Sequence, residues 1–241
     1  MKAKLAVFVV VTVIIFAIGT ARVSLRSKEQ MIEQVAKLEN AEDRGTVKWY
    51  ARLAKAKGQN KISILPRHVT YADEVKDLDD AVRLNRLVLA VPIEKRAFPF
   101  EDTGIRTWYK FKIVEELTHN KVSPCQCGPP DLVAPPEMLP LKMDEILIPR
   151  GGGSITVDDV EVIQDDPQFP QFASSITYLL FLQTDDSGQI GLLRMGPIGV
   201  YVEEAVDRLK PLSRRPNALT SDITTRFGSS IQSLRDHTRK E

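Results

Sequence analysis

The residues best suited to chemistry fall in one run, Ile148 to Val162, reading IPRGGGSITVDDVEV. Three glycines beside a serine could cradle a phosphate. A phosphate loop, however, works by leading from a strand into a helix N-terminus whose free N–H groups face the anion. Here the glycines lead into SITVDDVEV, which alternates like a strand, and no lysine of the P-loop type follows. The acids further on would repel a phosphate. Those acids, Asp158, Asp159, Glu161, Asp165 and Asp166, are hard oxygen donors of the kind calcium takes. Asp158, Asp159 and Glu161 are the candidates for a weak calcium site, although their spacing matches no EF-hand loop. Ile155 and Val157 share one parity while Val160 and Val162 have the other, a phase slip that predicts a β-bulge or tight bend at Asp158-Asp159.

The only cysteines, Cys125 and Cys127 in SPCQCGPP, are too few for a structural zinc site. They are candidates for a local disulfide. The three histidines, His68, His119 and His237, fall in a linker, a strand end and the tail, and no Gly-x-Ser-x-Gly elbow is present. No catalytic, cofactor-binding or metal residue is assigned on this basis, and the expectation is a protein that is not an enzyme.

The elements that position these residues start with a leader. Lys2 and Lys4 precede an uncharged, mostly apolar run, residues 5–21, followed by Arg22, Arg26 and Lys28. That is the layout of an export signal or signal anchor, and the expectation is an uncleaved anchor with the membrane as partner. Residues 26–84 read as a helical stalk, with Met31, Val35 and Leu38 at helical spacing and a basic stretch carrying Lys48, Arg52, Lys55 and Lys57 around Trp49 and Tyr50. YADEVKDLDDAVRLNR predicts one more short helix.

From Leu87 the period changes to two. Leu87–Val91 is a continuous apolar run, as in a strand buried on both faces. GIRTWYKFKIVEEL alternates, with Ile105, Tyr109, Phe111, Ile113 and Leu117 to one side; the thirteen residues from Ile105 to Leu117 would span roughly 43 Å at about 3.3 Å per residue, long enough that the strand must coil, as strands of small barrels do. Residues 122–149 hold seven of the fifteen prolines and read as a surface loop suited to partner contact. Further short β runs follow, up to GVYVEEAV. The segment 85–213 carries 12 basic against 19 acidic side chains, which argues against nucleic acid as a partner. Residues 214–241 form a basic tail whose end predicts a helix capped by Thr220 or Ser221, with Ile223, Phe227, Ile231 and Leu234 on one side.

LVLAVPIEKR, TWYKFKIVEEL, GGGSITV, SITYLLFLQ and GPIGVYVEEAVDRLKPL, in that order, resemble a barrel module of uncharacterised exported bacterial proteins. The plan is also similar to the netrin-like, OB-type barrel of metalloproteinase inhibitors. Those inhibitors begin with a cysteine-led N-terminus and carry several disulfides, so neither inhibition nor any binding residue is carried over.

The resemblance and the pattern together imply a mainly β fold. A small OB-like closed or partly open β-barrel over 85–213 would follow a hydrophobic helix (1–25) and the helical stalk, with a C-terminal helical tail. The functional expectation is a binding or scaffolding protein of the bacterial cell envelope, single-pass with its C-terminal domain outside the cytoplasm, or else secreted or periplasmic, with an envelope protein as partner. The alternatives are a metal-dependent envelope hydrolase using residues 158–166 and a protease inhibitor by barrel analogy.

Overall fold

Residues 30–39, 41–66, 75–100, 104–118, 132–167, 169–185, 187–215 and 217–239 are described by the computed structural model. They divide into two compact units: Met1–Ile64 with Thr156–Val162, and Leu65–Ile155 with Ile163–Glu241.

In the first unit, helix α1 (30–39) precedes α2 (Val47–Ala56) and strand β1 (Lys61–Ile64). Thr46 caps α2 by accepting from the Trp49 N–H at 3.0 Å, which satisfies one of the free donors of the first turn. Val47, Trp49, Ala51 and Ala54 are buried, while Lys48, Arg52 and Lys55 are exposed. The Trp49 indole donates to Leu38 O at 2.6 Å. This tryptophan is therefore part of the core.

The second unit is organised by two strands sandwiched between two cores. β2 (Arg86–Phe100) pairs antiparallel with β3 (Gly104–Glu116) on one side and β7 (Tyr178–Thr184) on the other. Strand side chains alternate between faces, so Leu87, Leu89, Leu179 and Phe181 enter one core while Val88, Ala90, Leu180 and Leu182 enter the other. That double burial is why these segments read as unbroken apolar runs. Helices α3 (Leu78–Leu84), α4 (Ala218–Phe227) and α5 (Ile231–Thr238) supply Leu78, Leu219, Ile223, Ile231 and Leu234 to the first core. The second core is aromatic, with Tyr109, Phe111, Phe169, Phe172 and Tyr178.

The full strand order is β10-β9-β7-β2-β3-β4, adding β4 (Glu145–Gly151), β9 (Val200–Ala205) and β10 (Arg208–Pro211), with β8 (Gly191–Leu192) beside β7. A three-stranded sheet, β1-β6-β5, contains β5 (Gly153–Val157) and β6 (Val160–Gln164).

The expected OB-like barrel is corrected: both sheets are open, and the fold is mixed α/β. Closure fails because the terminal strands share no ladder. β4 makes a one-residue bridge, Leu147 to Ile190, and β10 makes one from Arg208 to Ser230 between α4 and α5. Helices, not further strands, cover the outer face. The C-terminal segment is not one helix but two, because Gly228 closes α4 in the left-handed conformation (φ 58°). Asn217 caps α4 in place of Thr220 or Ser221, accepting from the Thr220 N–H at 2.8 Å. The described part of the proline-rich loop packs Leu132, Ala134, Met138 and Leu141 against Trp108 and Leu147, leaving Val133 and Met143 exposed.

The expected membrane anchor, membrane partner and single-pass location are also corrected. Among the described residues no helix is long and apolar enough to cross a membrane; the longest helical runs there have ten residues, about 15 Å against a hydrocarbon core of about 30 Å. Residues 5–21, on which that expectation rested, lie outside the described residues.

Candidate functional site

The glycine triplet and the acids after it take up structural positions. Gly152 and Gly153 lie at positive φ, 78° and 139°. A Cβ on Gly152 would stand 2.6 Å from Gln164 O, and one on Gly153 would stand 2.2 Å from Thr107 Oγ1. Both therefore exclude any side chain. Asp158 and Asp159 form the two-residue turn between β5 and β6, both left-handed, with φ of 49° and 65°. Two positive-φ residues are what a type I′ hairpin turn requires.

Glu161 pairs with Lys61 at 3.1 Å, and Asp158 O accepts from Lys55 Nζ at 3.4 Å. Asp165 and Asp166 fall in the second unit. Among the described residues no group of three or more His, Cys, Asp or Glu could hold a metal ion, and the metal-dependent hydrolase is corrected on that ground. Cys125 and Cys127 lie outside the described residues.

The arrangement that does stand out is built around Arg150, which the sequence reading passed over. In the β3–β4 ladder Arg150 faces Thr107, Ile148 faces Tyr109 and Ile146 faces Phe111. Alternation along β4 then carries Ile146, Ile148 and Arg150 to the same face, that of the aromatic core. Arg150 is only 5% exposed. Its Nη2 donates to the Asp166 backbone carbonyl at 3.5 Å, at the limit of a hydrogen bond, and its Nε has no partner. The guanidinium lies 5.4 Å from the Phe169 ring centroid. None of the ion pairs found among the described residues supplies it with a carboxylate.

Beside it the Tyr109 hydroxyl is buried and likewise unbonded. Burial pushes that hydroxyl up from the ordinary phenol range, while the nearby Arg150 charge and the Phe172 N–H pull the other way without reaching bonding geometry.

The described residues 165–167 and 169–177 run past this pair. Asp166 Oδ1 accepts the Phe169 N–H at 3.1 Å, and Tyr178 Oη accepts the Ala173 N–H at 2.9 Å. Between these ties Phe169 and Phe172 turn inward. Phe172 stands edge-on to Tyr109, Phe111 and Tyr178 at 5.1, 5.0 and 5.0 Å, the geometry that ring quadrupoles favour.

A buried cation without a counter-charge is costly, on the order of several kcal/mol after relaxation, and such groups are ordinarily paired. The signal was present in the sequence. In EILIPR the parity that buries Ile146 and Ile148 also buries Arg150.

No family model, no curated protein and no solved structure matches the chain. The likeness to the netrin-like inhibitor barrel is therefore corrected along with the barrel itself, and protease inhibition by that analogy goes with it.

Proposed function

We propose that this protein is a non-catalytic binding domain that holds an anionic ligand on Arg150. The observation that supports the reading is a guanidinium 5% exposed, with Nε unbonded and, among the described residues, no carboxylate paired with it. The chemistry of the pair favours recognition over catalysis. A guanidinium stays protonated in proteins, and a tyrosine shifted upward from 10 keeps its proton at neutral pH. Neither group shuttles protons under those conditions, but both donate hydrogen bonds to an anion.

The test is the Arg150→Met variant of the full chain, measured by thermal unfolding with and without acetate, phenylacetate and phosphate. Methionine keeps much of the volume and removes the uncompensated charge, so the unliganded variant is expected to be as stable as the parent or more so. It should lose any anion-dependent rise in Tm, which follows from binding to the native state alone. A strongly destabilised Arg150→Met, together with a parent indifferent to every anion, would make Arg150 a structural residue and end the proposal.

A further inference from the structure

We infer that the ligand is a monocarboxylate with an apolar, ring-sized body, seated where Phe169 now packs; this rests on the reading of Arg150 as an anion site. Charge comes first. The site offers one guanidinium, 5% exposed. A dianion such as phosphate would be left half-neutralised by that single cation in a poorly solvated place. One negative charge matches.

Donor geometry comes second. Nε and an adjacent Nη of arginine form a planar fork that suits the two oxygens of a carboxylate. The Tyr109 hydroxyl, unbonded on the same face of the sheet, is a third donor. The walls come third. Phe172 packs edge-on against Tyr109, Phe111 and Tyr178, and Phe169 lies by the guanidinium, so a carboxylate that brings its own hydration shell fits poorly, whereas one attached to an aromatic or branched aliphatic body fits well. Phe169, 1% exposed and lying over the guanidinium, is the chain's own occupant of that place. Its N–H is held by Asp166 Oδ1 at 3.1 Å, and the Ala173 N–H that follows is held by Tyr178 Oη at 2.9 Å.

The experiment is a titration of the full-length protein with acetate, phenylacetate, benzyl alcohol and inorganic phosphate, following the Arg150 Nε–H resonance by NMR and heat by calorimetry. Phenylacetate is expected to bind at least about tenfold more tightly than acetate, from burial of the ring. Benzyl alcohol and phosphate are expected to leave the resonance unmoved. Tyr109→Phe should weaken phenylacetate, and Phe169→Leu should tighten it by removing the competitor.

Equal binding of acetate, phosphate and phenylacetate, all lost in Arg150→Met, would overturn the ligand class while leaving Arg150 an anion site. Silence of the Nε–H resonance to all three anions would overturn both. Phenylacetate binding that persists in Arg150→Met would place the ligand elsewhere and also overturn both.

Discussion

Thr107 Oγ1 occupies the space into which a side chain on Gly153 would project: the Cβ would stand 2.2 Å from it. The threonine cannot readily step aside, because it donates to Gly152 O at 2.6 Å and is buried. The glycines that suggested a phosphate loop are thus a close crossing of β5 over β3.

Gly153→Ala therefore meets both a steric block and a φ of 139° that side chains avoid. The expected loss is about 2–4 kcal/mol in chemical denaturation. Adding Thr107→Ala removes the blocking oxygen but leaves the backbone conformation unfavourable. The double variant should recover part of the loss, a coupling readable in a double-mutant cycle. Strict additivity would show that the two residues do not press on each other.

At the tip of the β5–β6 hairpin, Asp158 and Asp159 both hold left-handed backbone, which costs a non-glycine residue about 1–2 kcal/mol. Replacing the pair by Asn-Gly, the preferred residues for such a turn, should stabilise the hairpin by about 0.5–1 kcal/mol. Slower hydrogen exchange at the Glu161 amide, which donates to Asn60 O at 2.9 Å, is the readout. Unchanged or faster exchange would argue against the turn geometry.

What was legible in the sequence follows from how local each signal is. The helices at Val47–Ala56 and Leu78–Leu84 and the strands Arg86–Phe100 and Gly104–Glu116 declare themselves through side-chain period, a property of neighbouring residues. The phase slip at Asp158-Asp159 marked a corner for the same reason. Closure of the sheet is a different kind of fact. It depends on whether β4 and β10 find a common partner, and long coiled strands are equally compatible with an open sheet whose outer face is covered by helices. The C-terminal residues were misjudged because Arg214, Arg215 and Arg239 make the segment look basic and solvated. Leu219, Ile223, Ile231 and Leu234 nevertheless complete a core with Leu78, Leu87 and Leu89, distant in sequence. Arg150 was overlooked because a charged residue is ordinarily assigned to the surface, although strand parity put it inside.

Arg235 ties α5 to β3 through a fork. Its Nε and Nη2 reach Glu115 at 2.8 and 2.6 Å, both side chains being about 30% exposed. Arg235→Lys keeps the charge but loses the planar two-point contact. An expected loss of about 1 kcal/mol, smaller at high salt, exceeds what a fully exposed pair would give. Urea denaturation at low and high ionic strength checks it. A neutral result at both would mean that α5 is held by Ile231 and Leu234 alone.

Asp79 gives the C-terminal helices an acid-sensitive attachment. Its carboxylate meets His237 Nε2 at 2.7 Å and the Arg226 guanidinium at 3.4 Å. Burial pushes this carboxyl up, but the hydrogen bonds from His237 and Arg226 outweigh it and hold the group below its ordinary value of 3.8. A carboxyl depressed in the folded state binds its proton more readily when unfolded. Its contribution is therefore present above the unfolded pKa of about 3.9 and is lost as pH falls through the lower folded value. Asp79→Asn should be less stable than the parent at about pH 5, and the gap between them should narrow as the pH drops below about 4. Unfolding free energies of both proteins across this range settle the point: a gap that widens on acidification would mean the carboxylate is not stabilised by these partners, and α4 and α5 would then owe their position to apolar packing.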